Sequence, residues 1–240
     1  MGNEPQKVTF SQGIHEQSAT QKETLGALRI LQDGRKFRYC KNGAAALVAG
    51  TPIIGTDCVA NHQQCAVAAG GAAGSMTVTV TLGATLATVN QYKDGYLQVC
   101  DGGAAYGEGT QYLIDGHPAA ALSTACMVQL REPICVALLA GTSKVSLVPN
   151  PFASVVVAAA GQDMPAGVPQ IAVTAEYYFW SQTGGIATAL CTNTLGEGIA
   201  ITTGAALFAT TSGSYEPVLG WSYGTDGATG VTTPVFLTID

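Results

Sequence analysis

The sequence predicts an all-β protein, a sandwich- or barrel-like assembly of many short antiparallel strands with a polar N-terminal arm. Three observations carry that expectation. Short runs with the period-2 alternation of strands, such as MTVTVTL at Met76–Leu82, recur between turn signals rich in glycine, asparagine and aspartate. No segment repeats apolar residues at the helical period for long enough to build an α/β fold. The run AEYYFWSQTGG sets Tyr177, Tyr178, Phe179 and Trp180 side by side in a chain whose residues are only 7% aromatic.

Residues 1–24 are polar, rich in Gln and Glu, and read as an extended arm or short frayed helix that orders only by docking. The body runs over 25–240, with room for two β subdomains. LGALRILQDGRKFRYCKNG reads as two strand-like runs around Asp33-Gly34, a dipeptide that accepts the positive φ of a tight hairpin turn. Ala44–Thr56 reads as loop then short strand, and Asp57–Gly74 as an alanine-rich loop. After Met76–Leu82, strands are expected at Gly95–Cys100, Tyr112–Asp115, Ala121–Leu130, Lys144–Val148, Ser154–Ala158 and Ile171–Thr174. Pro133 at a first-turn position makes 133–141 (PICVALLAG) the one short-helix candidate.

In the aromatic run, alternation across the pleat points Tyr177 and Phe179 one way and Tyr178 and Trp180 the other. Bulk on both faces needs cover on both, from a second sheet or a partner subunit. Gln182 to Gly185 is expected to turn the chain, with Ile186 to Thr192 as the return strand. The last strands are expected at Ala206–Ala209, Val218–Tyr223 and Val231–Ile239. Gly-Ala-Ala recurs at 43–45, 71–73, 103–105 and 204–206 with unequal spacing, which indicates small residues reused in loops rather than a structural repeat.

Composition narrows the function. Charged residues are 11% of the 240, against about 25% in ordinary soluble proteins, while hydrophobic ones reach 47%. A surface so poor in charge suits contact with other subunits. The net charge of −6 argues against a nucleic-acid partner. Arg35, Lys36, Arg38 and Lys41, alternating with Phe37 and Tyr39, form the one basic cluster, either an exposed strand face or a site for an acidic partner. The start MGNEPQKVTF has no apolar core, so no secretory signal is expected. Glycines and alternating threonines in the uncharged stretch 66–89 favour strands over a membrane span. Seven cysteines without a CxxC pair read as free, mostly buried thiols of a reducing compartment.

Candidate chemistry is sparse. Cys58, His62 and Cys65 are zinc-ligand types, but the spacing is unlike a zinc knuckle and no second pair completes the set, so no metal is expected. Asp115 and His117 could orient an imidazole for base catalysis, yet Asp115-Gly116-His117-Pro118 reads better as a turn. Neither a phosphate loop nor a dinucleotide fingerprint occurs, so no cofactor and no enzymatic activity are expected. Sugar stacking on Trp180 or Trp221 is open, against burial of both between sheets.

Six segments, in order, resemble the head decoration (cement) proteins of tailed phages: LGALRILQDGRKFRYCKNGAAALVAGTPI, QYLIDGHPAA, VQLREPICVAL, SLVPNPFASVVV, GVPQIAVTAEYYFWSQTGGIATAL and PVFLTID. Together they span 25–240. The resemblance implies a β-rich subunit made in the host cytoplasm and carried on the outer capsid surface of the virion. It would be a homotrimer at local three-fold positions that clamps neighbouring major capsid proteins. On that reading the residues first placed at capsid or subunit contacts are Arg35, Lys36, Arg38, Lys41, Tyr178 and Trp180, with the arm beside them. The chain departs from the family pattern in its extra cysteines and in an alanine-rich insertion near 60–75. A receptor- or glycan-binding adhesin, and another structural head or tail protein, remain as alternatives.

Overall fold

The computed structural model describes residues 9–158, 164–191, 200–202, 208–209, 217–223 and 230–240; of 200, 202, 208 and 209 it describes the backbone alone. The fold is all-β, and the described residues contain no helix beyond two single 3-10 turns, Ala60–His62 and Ala104–Tyr106. No helix among them is long and apolar enough to cross a membrane.

The chain forms two compact units, and the second is an insertion in the first. The first opens with β1 (Gln17–Ser18), β2 (Leu28–Ile30), β3 (Lys36–Lys41) and β4 (Ile53–Ile54). The second, Thr56–Pro151, holds β5 (Cys65–Ala69), β6 (Thr77–Thr81), β7 (Tyr96–Asp101), β8 (Gln111–Gly116), β9 (Ala125–Leu130) and β10 (Lys144–Val148). From Phe152 the chain returns to the first unit with β11 (Val156–Val157), β12 (Pro165–Pro169), β13 (Tyr178–Cys191), β14 (Ala200–Thr202), β15 (Phe208–Ala209), β16 (Val218–Ser222) and β17 (Val231–Thr238).

The inserted unit is a closed antiparallel barrel in the order β10-β5-β6-β9-β8-β7. Alternation explains the closure. In β6 Val78 and Val80 face in while Thr77 and Thr81 face out, and β9 does the same with Cys126, Val128 and Leu130. The interior is filled with side chains, as small barrels require. Leu82, Ala87, Tyr92, Ile134 and Leu138 join that core from the connecting loops.

The first unit is an 11-stranded sheet centred on β13. The aromatic run behaves as its alternation predicts. Phe179 packs with Cys40, Ile53 and Val155, with Tyr177 at the margin. Trp180 packs on the opposite face with Phe37 and Tyr39, flanked by Tyr178. The cover over Trp180 is the chain's own N-terminal segment rather than another sheet or a subunit. Phe10, Ile14, Leu25 and Leu31 lie on that cluster, and Phe10 meets the indole edge-on at 5.0 Å between ring centres. β1 adds to the sheet by pairing Gln17 with Phe179 and Ser18 with Tyr178. Gln12 anchors the segment. Its Nε2 donates to the carbonyls of Glu16 (2.8 Å) and Tyr178 (3.0 Å), its Oε1 accepts from the Tyr39 hydroxyl (2.7 Å), and its carbonyl accepts from Trp180 Nε1 (3.1 Å). Gln12→Ala leaves the buried Tyr39 hydroxyl without its acceptor, although the hydroxyl still accepts from the Lys22 N–H. It is expected to cost about 1–3 kcal/mol, read as a lowered urea midpoint; an unchanged midpoint means the segment is not anchored there.

Several expectations are corrected. Residues 182–185 do not turn the chain: β13 runs unbroken for 14 residues. The register slips between Gln182 and Gly184 opposite β3, and Gly185 sits at φ +80°. A glycine bulge therefore bends the strand and lets it exchange β3 for β17 as its neighbour. Residues 133–141 form no helix, because Leu138 bridges to Gly71 and Gly141 is left-handed. The strand expected at Ile171–Thr174 is only a single bridge from Val173 to Leu47, and β12 lies just before it. Strands β1 and β5 fall where arm and loop were expected.

Beneath the Gly-Ala-rich loops lies a recurring turn that the tripeptide itself does not mark. Leu47 bridges Val173, Gly71 bridges Leu138 and Ala87 bridges Ala120. Five of these six residues lead directly into a turn closed by the N–H three residues after its first carbonyl, across a left-handed third residue: Gly50, Gly74, Asn90, Gly141 or Glu176. After Ala120 the left-handed residue is Ser123, and the Thr124 hydroxyl closes the turn at 2.7 Å. The Gly-Ala-Ala at 204–206 lies outside the described residues.

Candidate functional site

The six residues expected at contacts lie together on the β3–β13 seam, where Lys41 opposes Tyr178, Tyr39 opposes Trp180 and Arg38 opposes Ser181. Their chemistry is spent inside the chain. Arg38 grips Asp240 with two bonds, Nε to Oδ2 at 2.8 Å and Nη2 to Oδ1 at 2.9 Å, and donates to the Gly26 carbonyl. That hydrogen-bonded guanidinium holds the Asp240 carboxyl below the usual carboxylate range, and the carboxylate raises Arg38 in turn. Lys36 donates to the Asp240 carbonyl. Arg35 pairs with Asp33 and Lys41 with Glu176. The basic cluster is thus a row of ion pairs, not a free cationic patch. Trp180 is wholly buried and offers no surface to a partner; Tyr178 is half-buried.

A surface of which only Trp221 stands out in the sequence lies farther along the same strand. Beyond the bulge, Ile186 opposes Phe236, and Phe236 opposes Trp221 across β13, β17 and β16. Opposed residues of antiparallel strands project to the same side. Ile186, Phe236 and Trp221 are 45%, 42% and 49% exposed, so the row is open to solvent. Thr188 opposite Pro234 and Leu190 opposite Thr232 continue it, and Tyr223, bonded to the Pro234 carbonyl, closes it. Among the described residues of this face none is charged. The opposite side of the same strands carries Ala187, Ala189, Leu219, Val235 and Leu237 into the core. Trp221 in PVLGWSYG and Phe236 in PVFLTID are legible as large apolar residues of strand-like runs, but which of the two faces is wet is not. Trp221 is therefore not buried between sheets.

The remaining candidates resolve into structure. Gly220-Trp221-Ser222-Tyr223-Gly224 matches the spacing G-x-S-x-G of a nucleophile elbow. Val218–Ser222 is strand β16, and Ser222 is buried opposite Val235. Ser222 thus lies buried within a paired strand rather than presented to solvent. Cys58, His62 and Cys65 do not converge, and no group of His, Cys, Asp or Glu among the described residues is disposed to hold a metal. Cys58 is exposed, and the Cys65 thiol, raised by burial, faces the Asn61 carbonyl at 3.7 Å. His117 does not pair with Asp115, whose carboxylate accepts from Arg131 at 3.2 Å. His62 and His117 instead meet at one buried tyrosine, Tyr92. All seven cysteines are free thiols.

Comparison with protein-family models, with curated proteins and with solved structures gives no match.

Proposed function

We propose that this chain is a structural virion subunit, a decoration or cement protein that binds the outside of a phage head and stabilises the shell. One observation carries the reading beyond the sequence resemblance: the uncharged apolar face of Ile186, Phe236, Trp221 and Tyr223, laid flat over three strands. A contiguous exposed apolar row rimmed by polar residues is the kind of surface that marks protein contacts. A cement subunit works by mass action on the assembled shell, which needs contact area rather than a pocket. The major capsid protein is the partner of this reading, and the basic seam and N-terminal segment serve as scaffold for the docking strands.

The test uses heads stripped of the protein and replenished with purified chain. Replenished heads should survive heat or osmotic shock that opens stripped ones. Trp221→Ser combined with Phe236→Ser should abolish head binding while the thermal midpoint of the free protein stays within about 2–4 °C. Equal survival with and without the chain rejects the reading; binding by the double variant rejects this face. Light scattering should give a trimer of the 24.4 kDa chain, about 73 kDa.

Exposed Trp221 and Tyr223 also favour a second reading, a glycan-binding adhesin module, since aromatic faces stack on sugars. A glycan array without hits removes it.

A further inference from the structure

The barrel contains a buried polar cluster that neither reading uses. The loop from β6 to β7 is stitched down at two places. On one side, His62 Nε2 donates to the Thr85 carbonyl at 2.9 Å, Asn61 Nδ2 donates to Thr85 Oγ1 at 2.9 Å, and the Gly83 N–H reaches the Asn61 carbonyl. On the other, the His117 N–H donates to Asn90 Oδ1 at 3.1 Å, and the Asn90 N–H returns a bond to the His117 carbonyl. Tyr92 joins both. Its hydroxyl meets His62 Nδ1, and its backbone N–H donates to His117 Nε2 at 3.0 Å.

These partners assign the tautomers. Because the Thr85 carbonyl can only accept, His62 carries its hydrogen on Nε2 and takes the tyrosine hydroxyl's hydrogen at Nδ1. Because the Tyr92 N–H can only donate, His117 must be bare at Nε2, and its Nδ1–H donates to the Pro118 carbonyl at 2.8 Å. The two rings differ in what a second proton does. At His62 the tyrosine hydroxyl can rotate and accept. At His117, itself buried, a new Nε2–H would face a fixed backbone N–H, donor against donor. An unmade bond to a buried charge carries the full desolvation penalty.

We propose that His117 is an acid-sensitive clasp for the loop 83–95: its bare Nε2 holds the Tyr92 amide, and proton uptake at that nitrogen releases the loop from the barrel while the strands stay closed. Several titratable groups surround His117. Tyr92 and His62 face it from the loop and the first 3-10 turn, and the Cys126 thiol of β9 lies 3.8 Å from Nδ1. Cys58 and Cys65 act on Tyr92. Asp94 and Asp115, the carboxylates nearest in sequence, are both taken by Arg131. Burial is the main cause that lowers the His117 pKa, opposed by the Pro118 carbonyl and aided by His62. As pH falls through about 6.5 the unfolded or opened chain therefore takes the proton first. The stability this contact contributes is complete above that value and is lost as pH drops toward the lower folded value. Released, the loop would uncover Ala87 and Tyr92, which are buried against the barrel core.

The proposal does not depend on the virion reading, and its test needs only the full chain. Amide hydrogen exchange, corrected for intrinsic rates, is compared at about pH 7.5 and about pH 5. The Tyr92 amide and its neighbours in 83–95 should lose protection at least tenfold, while β6 and β9 keep theirs. Tyr92→Phe should retain the response, because the backbone N–H remains; His117→Gln should flatten it. Should that variant not fold, the wild-type His117 ring nitrogens are titrated by NMR, and loop opening must share their midpoint. Unchanged protection at Tyr92, equal loss across the whole barrel, or a midpoint apart from that of His117 overturns the proposal.

Discussion

Trp180→Ala is expected to destabilise the first unit by about 3–5 kcal/mol, the range for truncating a fully buried large aromatic. The size follows from three simultaneous losses. The indole is completely buried between Tyr39, at 5.1 Å between ring centres, and Phe10, at 5.0 Å. Its Nε1 donates to the Gln12 carbonyl, which ties the N-terminal segment to β13. Arg29 stacks over both the Trp180 and Phe10 rings and loses half of that seat. Denaturant unfolding reads the loss directly. Limited proteolysis separates its two parts, because cleavage within residues 9–24 should precede loss of the sheet. A cost below about 1.5 kcal/mol would mean that the segment and β3 repack without the indole. The same change should leave the inserted barrel intact, since its core shares no residue with this cluster.

Gly220→Ala is expected to be nearly as damaging, at roughly 2–4 kcal/mol, through overpacking rather than cavity. A Cβ on residue 220 would lie 1.9 Å from the Phe236 carbonyl oxygen and 2.9 Å from the Leu237 Cα. Both are backbone atoms of β17, so no rotamer change relieves the contact. The strands must part where Gly220 opposes Leu237 and Trp221 opposes Phe236. On the proposed reading the consequence reaches function: the variant should lose head binding together with stability, read as a lowered urea midpoint. Trp221→Ser with Phe236→Ser, by contrast, should lose binding alone. Wild-type stability in Gly220→Ala would show that β16 can shift register freely against β17.

Much of the fold was legible because it rests on local pattern. Alternation of Val and Thr in 76–82, of apolar and polar residues in 125–130, and the Asp33-Gly34 hairpin each specify their strands within a few residues of sequence. The opposed faces of Phe179 and Trp180 follow from the pleat alone. The failures share one physical cause, which is that a glycine permits several conformations and only distant partners choose among them. Gly184 and Gly185 suit a turn or a bulge equally. The pairing of β13 with Lys36 on one strand and Thr238 on another selects the bulge. Residues 133–141 have helical composition, yet the bridge to Gly71 holds them as a turn.

The candidate site divides in the same way. The sequence by itself determined the all-β class, the aromatic centre, the scarcity of charge and the absence of a nucleic-acid signature, because composition and period-2 patterning are local properties. Tertiary structure alone decided that Arg38 meets Asp240 some two hundred positions away, so the basic run is neutralised rather than presented. It also decided that the N-terminal segment covers Trp180, that a six-stranded barrel interrupts the sheet, and that Ile186, Phe236 and Trp221 align on the wet face. Each depends on strand register between segments far apart in the chain, and register is fixed by which face can be buried once all the strands are present.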